Sequence, residues 1–431
     1  MLDIQFIREH PDQVKKACQD KRVNISVDEL LLLDENRRHL QQEIDSLQHE
    51  RKLLSELSSS EKPSENVIHK GKELKEKLSE LEEKFRHIND QYKKMLWSLP
   101  NLPSLDTPIG KDESDNKVLR SWGEKRDFSF IAKSHWELGE KRNFIDNKQA
   151  AKVSGSRFAY IKGDLVMFQW ALIQHTFDLL IQEKNIKNIL KGTQLNISSK
   201  PFIPILPPVM IRPEIMNEMA RLEPKEERYH IPSDDLYLIG SAEHTLGPLH
   251  KDEVLHEKDL PIRYLGYSTS FRREAGSYGK DVKGILRMHQ FDKIEMESFT
   301  LAEDSIKEQD FFVAIQEYLM QSLEIPYQVV MCCTGDMGGP DARHIDIEAW
   351  MPGQNLFRET HSADLMTDYQ SRRMNIKVNR STGKKEFVHM NDATVFALGR
   401  TLIAIMENYQ QENGTIRVPE ILQDYVKKEF I

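Results

Sequence analysis

The sequence predicts an α+β protein in two parts: an N-terminal antiparallel coiled-coil helical hairpin, then a body built on a mostly antiparallel sheet with flanking helices. Three observations carry this prediction. Two apolar heptad stripes are separated by a serine- and proline-containing break; the proline-punctuated stretch Leu99-Pro100-Asn101-Leu102-Pro103 follows them; and beyond it short β-branched and aromatic runs alternate with amphipathic segments. At 431 residues the chain exceeds the span of one hydrophobic core. Two domains are expected, at 1–103 and 104–431.

In the hairpin, Leu33, Leu40, Ile44, Leu47 and Leu54 follow an alternating four-three spacing, with Arg37 and Arg51 at the two remaining seam positions. The stripe stops at Ser58-Ser59-Ser60-Glu61-Lys62-Pro63-Ser64, where a helix cannot continue cheaply and a turn belongs. It resumes as Leu74, Leu78, Leu81, Phe85, Ile88, Tyr92 and Met95, so the second helix can pack antiparallel on the first. At 1.5 Å rise per residue, the stretch from Leu33 to Leu54 reaches roughly 30 Å, too narrow to bury a core, and should project into solvent. Arg51, Lys52, Lys70, Lys72, Lys75 and Lys77 gather toward its tip. Charged outer positions also keep any coiled coil soluble, so composition alone does not separate that role from RNA contact.

In the body, Leu236–Ile239 and Tyr327–Met331 read as strands, and Ile306–Leu323 and Val395–Gln410 as amphipathic helices. The net charge of -9 excludes coating of nucleic acid by bulk attraction, leaving only a local basic patch for such a contact. A mean hydropathy of -0.58 suits an elongated, solvent-bathed helical element. Cys18, Cys332 and Cys333 provide neither a disulfide framework nor the spacing of a cysteine zinc site. The N-terminus MLDIQFIREHPDQ lacks an apolar signal core, and no run approaches a membrane span; a cytoplasmic, membrane-free protein is expected.

The chemistry concentrates in Ser270-Phe271-Arg272-Arg273-Glu274-Ala275-Gly276-Ser277 and Lys283-Gly284-Ile285-Leu286-Arg287-Met288-His289-Gln290-Phe291-Asp292-Lys293-Ile294-Glu295. As strand, loop and strand, these would put Arg272, Arg287 and Glu295 on one sheet face beside the Phe291 ring. Two guanidiniums would then face phosphate oxygens, as suits a nucleotide.

The string FRREAGSYGKDVKGILRMHQFDKIE resembles motif 2 of the class II aminoacyl-tRNA synthetases in its seryl form, here spanning 270–295. Lys200-Pro201-Phe202 through Leu206-Pro207-Pro208-Val209-Met210 resembles motif 1, near 200–210, a dimer-forming helix and strand. Ala397-Leu398-Gly399-Arg400-Thr401-Leu402 resembles the strand and helix of motif 3, at 394–410. Ser241-Ala242-Glu243, Gly335-Asp336-Met337-Gly338, Trp350-Met351-Pro352-Gly353-Gln354-Asn355, Arg358-Glu359 with Ser362, the C-terminal ENYQQENGTIRVPEIL and the N-terminal MLDIQFIREHPDQVKKA are similar to the seryl-tRNA synthetase family specifically.

The resemblance implies a class II catalytic domain that activates L-serine with ATP and transfers it to the 3′ end of tRNA(Ser), with tRNA(Sec) left open as a second substrate. Arg272, Glu295, Glu359 and Arg400 would be catalytic. Arg272, Arg273, Glu274, Arg287, Phe291, Glu359, Thr360, His361, Ser362 and Arg400 would bind ATP, with Phe291 stacked on adenine. Mg2+ would come with the ATP, at Glu359 and Ser362, and no zinc is expected. Ser241, Ala242, Glu243, Arg272, Glu295 and Thr394 would form the serine pocket. A homodimer is implied, with the arm embracing tRNA through Arg51, Lys52, Lys70, Lys72, Lys75 and Lys77, reading shape and backbone more than bases.

Four departures from the family pattern stand out. Pro201 replaces a usual glycine, and Ser241 a usual threonine. Thr360-His361-Ser362-Ala363-Asp364-Leu365-Met366 replaces a serine- and cysteine-rich stretch, and Asn391-Asp392-Ala393 replaces leucine-asparagine-glycine. Asp392 reads equally as a contact for the serine ammonium or as a loop charge. Two competing functions are a paralog that charges a carrier protein, which should lack the long arm, and a non-catalytic RNA-binding homolog, which should have lost Arg272, Glu295, Glu359 or Arg400. All four are present.

Overall fold

The computed structural model describes residues 1–58, 64–275 and 283–431, in two compact units, Met1–Leu102 and Pro103–Ile431. The expected turn at Ser59–Pro63, and Gly276 and Ser277 of the motif 2 string, lie outside the described residues.

The first unit is helical. Short helices α1 (Ile4–Glu9) and α2 (Pro11–Asp20) precede α3 (Val27–Ser58) and α4 (Glu65–Ser98). Ser64 caps α4 by accepting a hydrogen bond from the Val67 amide, and the helix ends at Leu99, one residue before Pro100. Ile44, Leu78 and Leu81 are buried between α3 and α4, with Leu40, Leu47 and Phe85 packed around them. Of the two seam arginines, Arg37 is half-buried with its guanidinium 4.7 Å from the Tyr92 ring centroid, a cation over an aromatic face. Arg51 is exposed, so the seam lapses before the tip.

The second unit is organised by an eight-stranded sheet: β1 (Lys117–Trp122), β2 (Ile203–Ile205), β3 (Ile262–Phe271), β4 (Gln290–Thr300), β5 (Tyr327–Met331), β6 (Arg343–Met351), β7 (Leu356–Thr367) and β8 (His389–Ala397), in the spatial order β1-β5-β6-β7-β8-β4-β3-β2. Every pair is antiparallel except β2 with β3. Motif 2 is the β3–β4 pair. The segment resembling motif 1 contributes β2 and the short strand Met210–Ile211, while the helix Asp164–Leu180 (α5) precedes it by some twenty residues of chain. The expected helix at Val395–Gln410 starts later than its pattern suggested. Val395, Phe396 and Ala397 finish β8, and the helix runs Leu398–Asn408, because Phe396 and Ala397 still pair with β4, past a bulge at Val395.

Alternation divides the sheet into two faces. Ile294 and Met296 on β4, Ala393 and Val395 on β8, Ala363 on β7, and Ile345 and Ile347 on β6 enter one large apolar core, shared with Phe312 and Ile315 of the helix Ser305–Ser322. Glu295 and Glu297, Asp392 and Thr394, Ser362 and Asp364, and His344 and Asp346 therefore point to the opposite face. Polar side chains placed together on one face of a buried sheet define the region where chemistry can occur.

Candidate active site

A cavity of about 350 Å3 opens over this polar face. Arg272 leaves the end of β3, held by its Nε donating to the Gly240 carbonyl at 3.1 Å and by its own amide bonded to His289. Its guanidinium lies 5.3 Å from the Phe291 ring centroid. Arg287 pairs with Glu274 at 3.2 Å, and Arg400, at the start of the last long helix, pairs with Glu359 at 3.1 Å. All six line the cavity, with Thr360 and Ser362. Desolvation would raise the Glu359 carboxyl, but its side chain is still half exposed, and Arg400 together with His344 and Arg272 holds it at about 2, so it stays an anion. Of the three residues expected to share a sheet face, only Glu295 lies within a strand; Arg272 and Arg287 belong to the connection, outside the ladder.

Beside these, the hydroxyls of Ser362 and Thr394 meet at 3.1 Å. Their backbones are clamped from the core side by Gln316, whose Nε2 donates to both carbonyls, at 2.8 and 2.7 Å. Glu243 joins the same wall, and immediately behind it the Ser241 hydroxyl donates to Glu295 at 2.5 Å while Lys293 pairs with the same carboxylate. Ser241 and Glu295 are nearly inaccessible, at 0% and 1% exposure, and so back the cavity without lining it.

Three expected side chains take other places. His361 is one residue from Ser362 on the same strand, so alternation sends it into the core, where its ring lies 5.5 Å from Phe396 and burial lowers it to about 3. Arg273 is exposed and lies over the Tyr229 ring, 5.8 Å from its centroid. Ala242 is buried in a small apolar cluster with Leu246 and Tyr264.

Several cavity residues were not singled out from sequence: Arg221, Lys293, Asp336, His344, Asp346 and Asp364. The period of two would have found two of them, because Lys293 and Asp364 stand two residues from Glu295 and Ser362 on the same strands; Asp346 joins them only through its pairing across from Ser362. Arg221 carried no such signal. Asp392 is not a loop charge: it sits on β8, 2% exposed, 3.5 Å from Arg221.

Among the described residues, two trios have donor atoms close enough to share a metal ion: Cys332, His344 and Asp346, and Asp341, His344 and Asp364. His344 is common to both. Burial alone would lower it, but Asp364 and Asp346, the latter 2.8 Å away, outweigh that and hold it well above its usual range.

The cavity's cluster of arginines around an aromatic ring, set on an antiparallel sheet between two motif strands and a motif helix, defines a class II aminoacyl-tRNA synthetase. Residues 227–409 accordingly match the class II core domain shared by the G, H, P, S and T enzymes, and residues 1–103 match the seryl-tRNA synthetase N-terminal domain. The chain is 40% identical to the serine–tRNA ligase of Dictyoglomus turgidum, over 99% of this chain and 98% of that one, and 39% identical to that of Petrotoga mobilis over the whole of both. The crystal structure of seryl-tRNA synthetase from Pyrococcus horikoshii complexed with ATP superposes with a TM-score of 0.90 at 37% identity, covering 100% of this chain and 99% of that one. The chain belongs to the seryl-tRNA synthetase family, and its enzyme class is aminoacyl-tRNA ligase.

Proposed function

We propose that the chain activates L-serine with ATP and then esterifies it to the 3′ end of tRNA(Ser). The carrying observation is that one cavity joins a nucleotide-like set, Arg272, Arg287, Phe291 and Arg400, to a small hydroxyl- and carboxylate-rich set, Glu243, Ser362 and Thr394, backed by Ser241 and Glu295. In the first step the serine carboxylate attacks the α-phosphate and pyrophosphate leaves. In the second a ribose hydroxyl of the tRNA attacks the seryl-adenylate carbonyl and AMP leaves. Neither step needs a protein nucleophile, and positioning with charge stabilisation suffices. Arg272 sits where it can follow charge on the α-phosphate, and Phe291 offers a face to adenine. Thr394 and Ser362, on the cavity wall, can hydrogen-bond a hydroxyl, an interaction that alanine cannot supply.

Mg2+ fits the donor chemistry. Glu359, Asp346 and Asp336 are shared with an adjoining cavity of about 500 Å3 that also carries Glu113 and Glu348, five carboxylates that suit a hard cation, beside Arg287, Arg358 and Arg400, which suit phosphate oxygens. Ser362 lies outside that adjoining cavity and faces Thr394. When bound with ATP, the ion would neutralise phosphate charge.

The helical arm is the proposed tRNA contact. Arg51, Lys52, Lys72, Lys75 and Lys77 are exposed, while Lys70 is partly neutralised by Glu50 at 2.8 Å. A homodimer is supported by apolar side chains left exposed on the segment resembling motif 1 and on α5: Ile203, Leu206 and Met210, and Met167 and Trp170. No helix among the described residues is long and apolar enough to cross a membrane, which suits action in the cytoplasm.

The test is exchange of pyrophosphate into ATP with each of the twenty amino acids, with and without Mg2+, followed by charging of tRNA(Ser) and tRNA(Sec). Magnesium-dependent exchange with serine plus charging of tRNA(Ser) is expected. Exchange without charging would sink the tRNA half of the proposal, and no exchange would sink all of it.

A further inference from the structure

The register of the sheet sets ionisable groups side by side across four strands. Glu297 on β4 stands opposite Asp392 on β8, Asp392 opposite Asp364 on β7, and Asp364 opposite His344 on β6. The three carboxylates are 1%, 2% and 6% exposed. Like charges directly opposite each other destabilise a sheet, and burial magnifies the effect, so this row needs a cation over it.

Arg221 supplies one. It follows the helix Pro213–Glu218, is only 14% exposed, and reaches Glu243 at 3.1 Å, Asp392 at 3.5 Å, and Asp341 and Asp364 at 3.8 Å each. The guanidinium's fixed planar fork spreads five donors over several ångströms and so can reach carboxylates set apart from one another, whereas an ammonium is a compact point charge that must sit close to all of its partners. Arg221 and Asp364 both line the cavity.

The neighbouring step on the same sheet face is the one proposed for serine: Glu295 opposite Thr394, Thr394 bonded to Ser362, and Ser362 opposite Asp346. Successive same-face steps along a strand are about 7 Å apart. The Asp364–His344 end of this polar row, with Arg221 over it, therefore closes the pocket one step beyond the groups that would take the serine hydroxyl.

We propose that Arg221 is a positioning and specificity-determining residue of the amino-acid pocket: it holds Glu243 toward the substrate ammonium and, with the carboxylates behind it, forms a polar end wall that admits a hydroxymethyl side chain and rejects a longer or more apolar one. A methyl or further methylene would have to press against charged groups and strip their partners. The inference rests on the serine pocket proposed above.

Its test is steady-state pyrophosphate exchange on the full-length enzyme, comparing the parent with Arg221→Ala and Arg221→Lys. Parent exchange with serine is the control for the underlying reading, and its absence sinks both. Given that control, Arg221→Ala should raise KM for serine about tenfold or more, as loss of one partner of a buried charge pair does, while KM for ATP stays within about twofold. Exchange with threonine should rise relative to serine. Because Arg221→Ala leaves buried carboxylates uncompensated and can fail to fold, Arg221→Lys decides that case. It keeps the charge and should melt near the parent, but it cannot span Glu243 and the strand acids, so serine KM should still rise several-fold with ATP KM unchanged. A folded Arg221→Lys enzyme with parental serine KM and selectivity, or equal shifts of both KM values, would overturn the proposal.

Discussion

Glu297 shows how strongly one side chain can depend on the row it belongs to. It is 1% exposed, neither of its carboxylate oxygens has a hydrogen-bond partner among the described residues, and burial together with Glu243 pushes it well above the carboxylate range, against the pull of Arg221. Asp392 is raised by burial and by Glu243 and Asp364 in the same way. A carboxyl whose folded pKa is raised keeps its proton where the unfolded chain has released it. Its favourable contribution is therefore complete below the unfolded pKa and is lost as pH climbs toward the folded value. Glu297→Gln should thus raise the melting temperature at pH 8 by about 1–2 °C, the shift expected of roughly 1 kcal/mol in a unit of this size, and by less at pH 5. Melting curves at the two pH values check this; an equal shift at both would show that Glu297 is not the titrating group. Glu359 behaves oppositely, because Arg400 holds it ionised where phosphates and a cation would meet it.

Among the elements, the helical arm and the β4–β8–β7–β6 strands divide the work. The arm is a two-helix stripe whose buried seam, Ile44, Leu78 and Leu81, leaves its outer positions to solvent and charge. Replacing Lys72, Lys75 and Lys77 together with alanine removes no buried group, since all three are exposed. Charging of tRNA should weaken and its dependence on salt should flatten, while serine-dependent exchange stays at the parental rate. Parallel loss of both activities would show that these lysines do not act through tRNA. The strands work by alternation: one face feeds the apolar core, and the other presents consecutive steps of hydroxyl and carboxylate groups. Glycine has one clear task here. A Cβ at Gly335 would come within 2.3 Å of the Lys111 carbonyl oxygen, so the loop carrying Asp336 to the cavity can pack only without a side chain at that position.

For the whole molecule, every residue lining the main cavity falls between Arg221 and Arg400, inside the second compact unit. A chain beginning at residue 104 should therefore retain serine-dependent exchange within about tenfold and lose tRNA charging by a larger factor, if, as proposed above, tRNA alone is bound through the arm. Equal loss of the two activities would contradict this separation. Much of this molecule was legible in sequence because its signals are local. A heptad stripe identifies the arm within a few turns, and the motif strings identify the family and its arginines at Arg272 and Arg400, since one or two strands with their connection carry them. Local alternation even predicts that Glu295 and Lys293 share a face. Only the tertiary structure decided which strands lie side by side and in what register. That pairing made a row of Glu297, Asp392, Asp364 and His344, turned His361 into the core and brought Arg221, which has no motif around it, over the strand carboxylates Asp364 and Asp392. The physical reason is range. A side chain's face follows from its neighbours in sequence, but its electrostatic surroundings are set by residues dozens to more than a hundred positions away, joined only when the sheet closes.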